Sequence, residues 1–243
     1  TSNIYLNNGK LIFNERETTN QKVESGSVDW GDYDNAGDLD ILLTGDDEWP
    51  NYSFSKIYIN KGNNVFEPDT VTKLNNIQQG TVKWADFDND GWLDIFFCGY
   101  DYRAEKLILK ILRNNHLKFE ELSDFSTGNF RGDKLTICDI ENDGYSYLVI
   151  IGDQDMRTVL KVFKNNNGSS FSEYTNCLLE AGDRGKIVLG DIDNDTDLDI
   201  LLTGVPDTYY TTQYPNGVSK IYLNNVQRKN TPPEIPVNLH ALT

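Results

Sequence analysis

Asp86-Phe87-Asp88-Asn89-Asp90-Gly91-Trp92-Leu93-Asp94, running into Ile95-Phe96-Phe97-Cys98-Gly99, decides the fold because the chain writes this pattern four times. The other copies are Asp32-Tyr33-Asp34-Asn35-Ala36-Gly37-Asp38-Leu39-Asp40, Asp139-Ile140-Glu141-Asn142-Asp143-Gly144-Tyr145-Ser146-Tyr147 and Asp191-Ile192-Asp193-Asn194-Asp195-Thr196-Asp197-Leu198-Asp199. Their first aspartates are 54, 53 and 52 residues apart. A recurring period of about 20 to 50 residues marks a repeat architecture in which each repeat is one structural unit.

The flanks of the loop give the secondary structure. Before it stand Ser27-Val28-Asp29-Trp30, Thr81-Val82-Lys83-Trp84, Leu135-Thr136-Ile137 and Ile187-Val188-Leu189; after it stand apolar runs that end at Gly45, Gly99, Gly152 and Gly204. Short runs rich in β-branched and aromatic residues and bounded by glycine are strands, so the acidic loop is the turn of a β-hairpin. A third strand follows as Lys56-Ile57-Tyr58-Ile59-Asn60 and its counterparts at 107–112, 159–163 and 220–224, and a fourth follows at 65–67, 117–120 and 170–172. Asn and Gly clusters between them suit tight turns. Four antiparallel strands per repeat, with no helical period, describe a propeller blade. The expected fold is therefore all-β: a β-propeller or propeller segment of four-stranded antiparallel blades, with the acidic loop in the first hairpin of each.

Residues 1–229 read as the propeller segment, with 1–24 supplying the third and fourth strands of a preceding blade and repeats at about 25–78, 79–131, 132–183 and 184–229. Residues 11–16 could close a ring by serving as the last blade's fourth strand, but Asn3-Ile4-Tyr5-Leu6-Asn7 would then be spare. A slice of a larger propeller in a longer protein is expected instead, with open edges through which two copies could associate. Residues 230–243, with Pro232, Pro233 and Pro236, read as a stiff linker resembling the lead-in to a fibronectin type III domain.

Acids outnumber Lys plus Arg by 38 to 22, giving a net charge of -16, and sixteen of those acids lie in the four loops. Phosphate would be repelled, which excludes nucleic acid as a partner. No apolar run reaches the roughly 18 residues of a membrane span, so no membrane insertion is expected. Cys98, Cys138 and Cys177 follow no metal or disulfide spacing and read as buried thiols.

The chemistry lies in the loop. Calcium takes six to eight oxygen ligands from carboxylates, carbonyls and water. Short Asp side chains at positions 1, 3 and 5 can converge, a carbonyl at position 7 adds an oxygen, and the Asp at position 9 closes the cage. Two carboxylates about 5 Å apart repel by roughly 3 kcal/mol at an effective dielectric near 20, so this crowding calls for a cation. The second copy (Asp86, Asp88, Asp90, Trp92 carbonyl, Asp94) and the fourth (Asp191, Asp193, Asp195, Asp197, Asp199) carry a full set. In the first (Asp32, Asp34, Asp38, Asp40), Ala36 forfeits the position-5 ligand, which water could replace. In the third (Asp139, Glu141, Asp143), Tyr147 replaces the closing carboxylate. Calcium (Ca2+) is the expected cofactor, in a structural role.

Strand, D-x-D-x-D-G-x-x-D loop, apolar strand ending in Gly and then Ile-Tyr-Asn together resemble the FG-GAP family, which includes the propeller repeats of integrin alpha chains and bacterial VCBS repeats. The resemblance spans about residues 3–225. It implies a calcium-bearing, usually extracellular propeller, usually of seven blades. The function expected is noncatalytic adhesion or ligand binding in a secreted or cell-surface multidomain protein. The alternatives are an architectural spacer and a calcium-dependent polysaccharide lyase, since some lyases also use such propellers.

In a four-stranded blade the second turn faces away from the acidic loop. The second turns carry Trp49, Tyr52, Tyr100, Tyr102, Tyr209, Tyr210 and Tyr214, and aromatic residues in polar loops suit stacking on a sugar or peptide. A protein or carbohydrate ligand is expected there. Arg131-Gly132-Asp133 falls where the other repeats have Gly26, Gly80 and Gly185, so it is expected to begin a strand rather than to recognise a partner. His116 and His240 have no nucleophile in evident partnership, so no catalytic residue is assigned.

Overall fold

The strand pattern is realised in a computed structural model that describes residues 2–224 apart from 8, 11, 20–22, 48–51, 64, 102, 123–124, 126–129, 155–156, 176–182 and 206–216. Among the described residues every regular element is a strand. β1 (Ser2–Asn7) and β2 (Phe13–Thr19) form a two-stranded sheet. The first full blade is β3 (Glu24–Gly31), β4 (Asp40–Asp47), β5 (Tyr52–Asn60) and β6 (Phe66–Pro68). The second is β7 (Gln78–Ala85), β8 (Asp94–Asp101), β9 (Lys106–Asn115) and β10 (Lys118–Glu121). The third is β11 (Phe130–Cys138), β12 (Tyr147–Gln154), β13 (Arg157–Asn165) and β14 (Phe171–Glu173). The fourth is β15 (Asp183–Gly190), β16 (Asp199–Val205) and β17 (Val218–Tyr222). Each sheet runs antiparallel in sequence order, and the four are the blades of a β-propeller. β2 pairs with β1 rather than with β17. The linker at 230–243 and Cys177 lie outside the described residues.

Register explains how the loop is aimed. Position 9 of each loop is the first paired residue of the second strand: Asp40 opposite Gly31, Asp94 opposite Ala85, Tyr147 opposite Cys138 and Asp199 opposite Gly190. Each first strand also breaks register at one equivalent place, between Glu24 and Ser27, Gln78 and Thr81, Gly132 and Lys134, and Asp183 and Lys186. Such a bulge bends the strand and increases its twist. Arg131-Gly132-Asp133 lies at this break within β11, inside a sheet rather than at a loop tip.

The second strands of the second and third blades, β8 and β12, are sandwiched between neighbouring blades, which is why they read as unbroken apolar runs rather than alternating ones. Leu42 and Ile57 of the first blade meet Val82, Trp84, Ile95 and Phe97 of the second, with the Tyr33 ring stacked 5.4 Å from Trp84. The opposite face of the second blade, Phe96, Cys98 and Ile111, packs on Leu148, Ile150 and Phe163 of the third. Val149 and Val162 then pack against Ile187 and Leu189 of the fourth. Ile4 of β1 covers Ile41 and Leu43 on the other side of the first blade. Truncating a side chain such as Phe96, which is 0% exposed, to Ala would cost about 3–5 kcal/mol. At the two ends of the series the equivalent positions are exposed: Val28 and Trp30 on the first blade, and Leu201, Ile221 and Leu223 on the last.

Candidate metal centres

The aspartate at position 1 builds the loop. Asp86 accepts the N–H groups of Asp90 (3.1 Å) and Gly91 (2.9 Å) through its two oxygens, and Asp32, Asp139 and Asp191 do the same for positions 5 and 6 of their own loops. A short carboxylate bonding its own backbone a few residues on is an Asx-type turn. It forces positions 4 and 6 into the left-handed region: Asn35, Asn89, Asn142 and Asn194 have φ of 57, 59, 51 and 61°. At position 6, Gly37, Gly91 and Gly144 have φ of 91, 87 and 86°, and Thr196 is held at 78°.

The position-9 aspartate is a clamp. Asp94, fully buried, accepts the N–H of Phe87 (2.9 Å) on one oxygen and that of Asn114 (2.8 Å) on the other, tying the loop to the third strand. Asp40 does this with Tyr33 (3.2 Å) and Asn60 (2.8 Å), and Asp199 with Ile192 (2.8 Å) and Asn224 (2.8 Å). Burial pushes the Asp94 carboxyl up to about 7, with Asp88 and Asp86 adding to the rise and the two N–H donors opposing it. Asp40 rises to about 6, again through burial first, with Asp34 and Asp38 adding. These carboxylates sit where a proton or a cation is favoured.

Three carboxylate groups converge, each with oxygens within 4.8 Å of one another: Asp32, Asp34 and Asp40; Asp86, Asp88 and Asp90; Asp191, Asp193 and Asp199. These all-oxygen, hard donor sets fit calcium. In the first two loops the fit is strengthened by buried carboxylate oxygens that lack a hydrogen-bond partner, Asp38 Oδ1 and Asp88 Oδ1. Asp38, two residues beyond Ala36, lies outside the first converging group. Asp94 stands at its clamp outside the converging group, and Asp195 and Asp197 of the fourth loop lie outside the third group. Asp195 Oδ1 accepts the Asp197 N–H (2.9 Å), and Asp90 Oδ1 accepts that of Trp92 (2.9 Å).

Asp139, Glu141 and Asp143 do not converge, although all three are described. Lys164 Nζ lies 2.8 Å from Glu141 Oε2 and 5.6 Å from the centroid of the Tyr147 ring. In the second blade the equivalent strand residue is Arg113, whose Nε lies 2.8 Å from Asp88 Oδ2 while Nη2 donates to the Gly168 carbonyl (2.7 Å). Gly168 has φ of 73°, and a Cβ there would fall 2.7 Å from Asp88 Cα, so the turn after β13 can seat on the second loop only as glycine.

Asparagines link the blades, a role that the sequence reading missed. Asn35, Asn89 and Asn142 each donate Nδ2 to the position-6 carbonyl of the next loop, at 3.1, 2.8 and 3.1 Å. At the end of the third strand, Asn114 donates to the Tyr33 carbonyl (2.9 Å), Asn165 to that of Phe87 (2.7 Å) and Asn224 to that of Ile140 (2.9 Å). Each of these reaches position 2 of the preceding blade's loop. The recurrence of Asn60, Asn114, Asn165 and Asn224 at one repeat position was the available signal.

Of the aromatic residues expected to bind a ligand, Tyr100 is half-buried at the end of β8, opposite Gln78. Tyr52 starts β5; its side chain, and Trp49, Tyr102, Tyr209, Tyr210 and Tyr214, lie outside the described residues. His116 packs its ring 4.9 Å from Trp92 in a turn, and His240 also lies outside the description. Cys98 and Cys138 are buried free thiols, and burial pushes Cys138 up to about 12.

A propeller with metal-ready acidic loops in the first hairpins of its blades defines the class of protein. The FG-GAP-like repeat matches residues 32–97 and 139–202, more than half of the chain, and the chain belongs to that family. It is similar to cartilage acidic protein 1 of Mus musculus, 33% identical over 96 residues that cover 37% of this chain and 15% of that protein. The Homo sapiens protein of the same name is 34% identical over 94 residues, covering 36% and 14%. The match thus spans 14 to 15% of the length of these curated relatives.

Proposed function

We propose that the chain is a noncatalytic, calcium-stabilised propeller module of an extracellular or cell-surface protein, offering a protein or carbohydrate ligand the face opposite its metal loops. The observation that carries this reading is the convergence of three carboxylate groups within 4.8 Å, in loops that are hydrogen-bonded from one blade to the next. Cations there would neutralise the loops and tighten the contacts between blades. Sites of this openness suit dissociation constants of about 0.1 to 1 mM, the range of extracellular modules. The noncatalytic reading is supported by the loop carboxylates, which are engaged by backbone donors, and by His116, which stacks on Trp92. The relatives are named for cartilage and for acidity, and this chain shares the acidity, with a net charge of -16. The exposed Leu201, Ile221 and Leu223 face is an edge for a further blade or a second copy.

Thermal melting in 1 mM calcium and then in excess EDTA tests the metal. A site with a dissociation constant of about 0.1 mM gains roughly 1.4 kcal/mol at that calcium level. Three filled sites give about 4 kcal/mol, a fall of roughly 8–16 °C on chelation. A melting temperature indifferent to EDTA would remove the metal from the reading. For the ligand face, Tyr100→Ala with Tyr210→Ala should weaken capture on a glycan array or on immobilised matrix protein; unchanged capture points to a spacer. Release of unsaturated sugar, read by ultraviolet absorbance, would overturn the noncatalytic assignment.

A further inference from the structure

The third loop departs from the other three in three coordinated ways, and they share one explanation. Glu141 replaces the aspartate at position 3, Tyr147 replaces the buried carboxylate at position 9, and the side chain that meets them carries an ammonium. That side chain, Lys164, sits immediately before the third-strand asparagine; the same place holds Ile59 in the first blade and Leu223 in the fourth, neither of which can offer a charge.

We infer that Lys164 is a tethered cation: its ammonium takes the place of a divalent ion in the third loop, leaving that loop a permanently metal-free link between its neighbours. The inference rests on the calcium reading of the other three loops. The third loop carries three acids against five in the fourth, and its lysine compensates one of them. Glu141 has one methylene more than aspartate, which carries its carboxylate out to meet the amine at 2.8 Å. Tyr147 brings a neutral ring where a carboxylate would otherwise add charge, and its buried hydroxyl lies beside the pair without a well-formed hydrogen bond. Asp139 still accepts from Asp143 and Gly144 N–H, and Asp143 from Tyr145 N–H, so the turn keeps its shape by itself. The third loop also accepts from Asn89 and donates through Asn142, keeping the inter-blade chain continuous. Arg113 also pairs with its position-3 carboxylate, Nε lying 2.8 Å from Asp88 Oδ2, but its guanidinium is shared with the Phe87 ring (5.1 Å to the centroid) and the Gly168 carbonyl, and Asp86, Asp88 and Asp90 remain converged, the donor set that the third loop lacks.

Two measurements on the full chain decide the point. Calcium titration by calorimetry on the chelated protein should give three ions per chain. Glu141→Gln should leave that number unchanged, while the matching Asp88→Asn removes one ion. Four ions in the unaltered chain, or loss of one ion in Glu141→Gln, overturns the inference while leaving the calcium reading intact. In EDTA, Lys164→Met and Glu141→Gln should each lower the melting temperature, and the double variant should fall no further than the worse single. Additive losses overturn the tethered-cation pair. If no calcium binds at all, the reading of the other loops fails, and the EDTA comparison still decides whether Lys164 and Glu141 act as one unit.

Discussion

Thr196 is held at φ 78° where the other loops place glycine, and replacing it should stabilise the protein. A non-glycine residue in the left-handed region carries strain of about 1–2 kcal/mol, at the upper end for a β-branched side chain. Thr196→Gly releases that strain but adds freedom to the unfolded chain, which returns about 0.4–1 kcal/mol. The net expectation is a gain of about 0.5–1.5 kcal/mol, or roughly 1–6 °C in melting temperature for a chain of this size. Thr196 is exposed and its bonds to Asp191 and Asn142 run through its backbone N–H and carbonyl, so those two bonds survive the change. The reverse substitution supplies the control. A Cβ built at Gly91 meets nothing within 4 Å, so Gly91→Thr should cost a similar amount through backbone conformation alone. Thermal and denaturant melts of both variants, in calcium and in EDTA, give the two differences. A neutral or destabilising Thr196→Gly beside a tolerated Gly91→Thr would show that position 6 is not held left-handed, and the loop geometry would have to be abandoned.

Asn114→Ala, removing a fully buried amide that bonds Tyr33 and Leu93 carbonyls and Leu117 N–H, should cost about 3 kcal/mol in a urea melt. A loss below about 1 kcal/mol would deny the inter-blade clasp. Gly168→Ala, with its Cβ 2.7 Å from Asp88 Cα, should be destabilising by about 2–4 kcal/mol and weaken calcium binding at the second loop, both measurable in one calcium-dependent melt series. In EDTA, stability should fall as pH rises from about 4 to 7, because Asp40 and Asp94 hold protons to about 6 and 7 when folded and release them near 3.9 when unfolded. Each group contributes at most about 1.4 kcal/mol per pH unit inside that window. Saturating calcium should reduce the slope, since the ion competes with the proton on Asp40, a member of the first converging group; a slope that is flat in EDTA would contradict the burial of these carboxylates.

The loops, the four-strand order and the apolar second strands were legible because each is a local pattern repeated at a fixed interval. Side chains that act across blades were not. Asn114, Asn165 and Asn224 find their carbonyls 81, 78 and 84 residues away, and at the end of a strand an asparagine reads locally as a turn residue. The position-9 aspartates were read as closing ligands, whereas their two oxygens also secure the loop to the third strand, a partnership visible only once Asn60, Asn114 and Asn224 fold back. In the sequence the third loop is a degraded site, with Glu141 at position 3 and Tyr147 in place of the closing carboxylate. Its lysine lies 23 residues from Glu141 on a strand whose neighbours suggest packing, so the charge pair emerges only when the hairpins close.

The asparagine bonds between loops run one way, each loop donating to the next. Such an array behaves as a linear nearest-neighbour system, in which occupancy at one member shifts the affinity of the adjacent one. The first and second loops should therefore fill together, with a binding curve steeper than that of independent sites. The fourth loop, separated from them by a link whose charge never changes, should fill on its own schedule. Calcium uptake would then divide into a coupled pair and a solitary step, so that a fall in calcium could loosen one end of the module before the other.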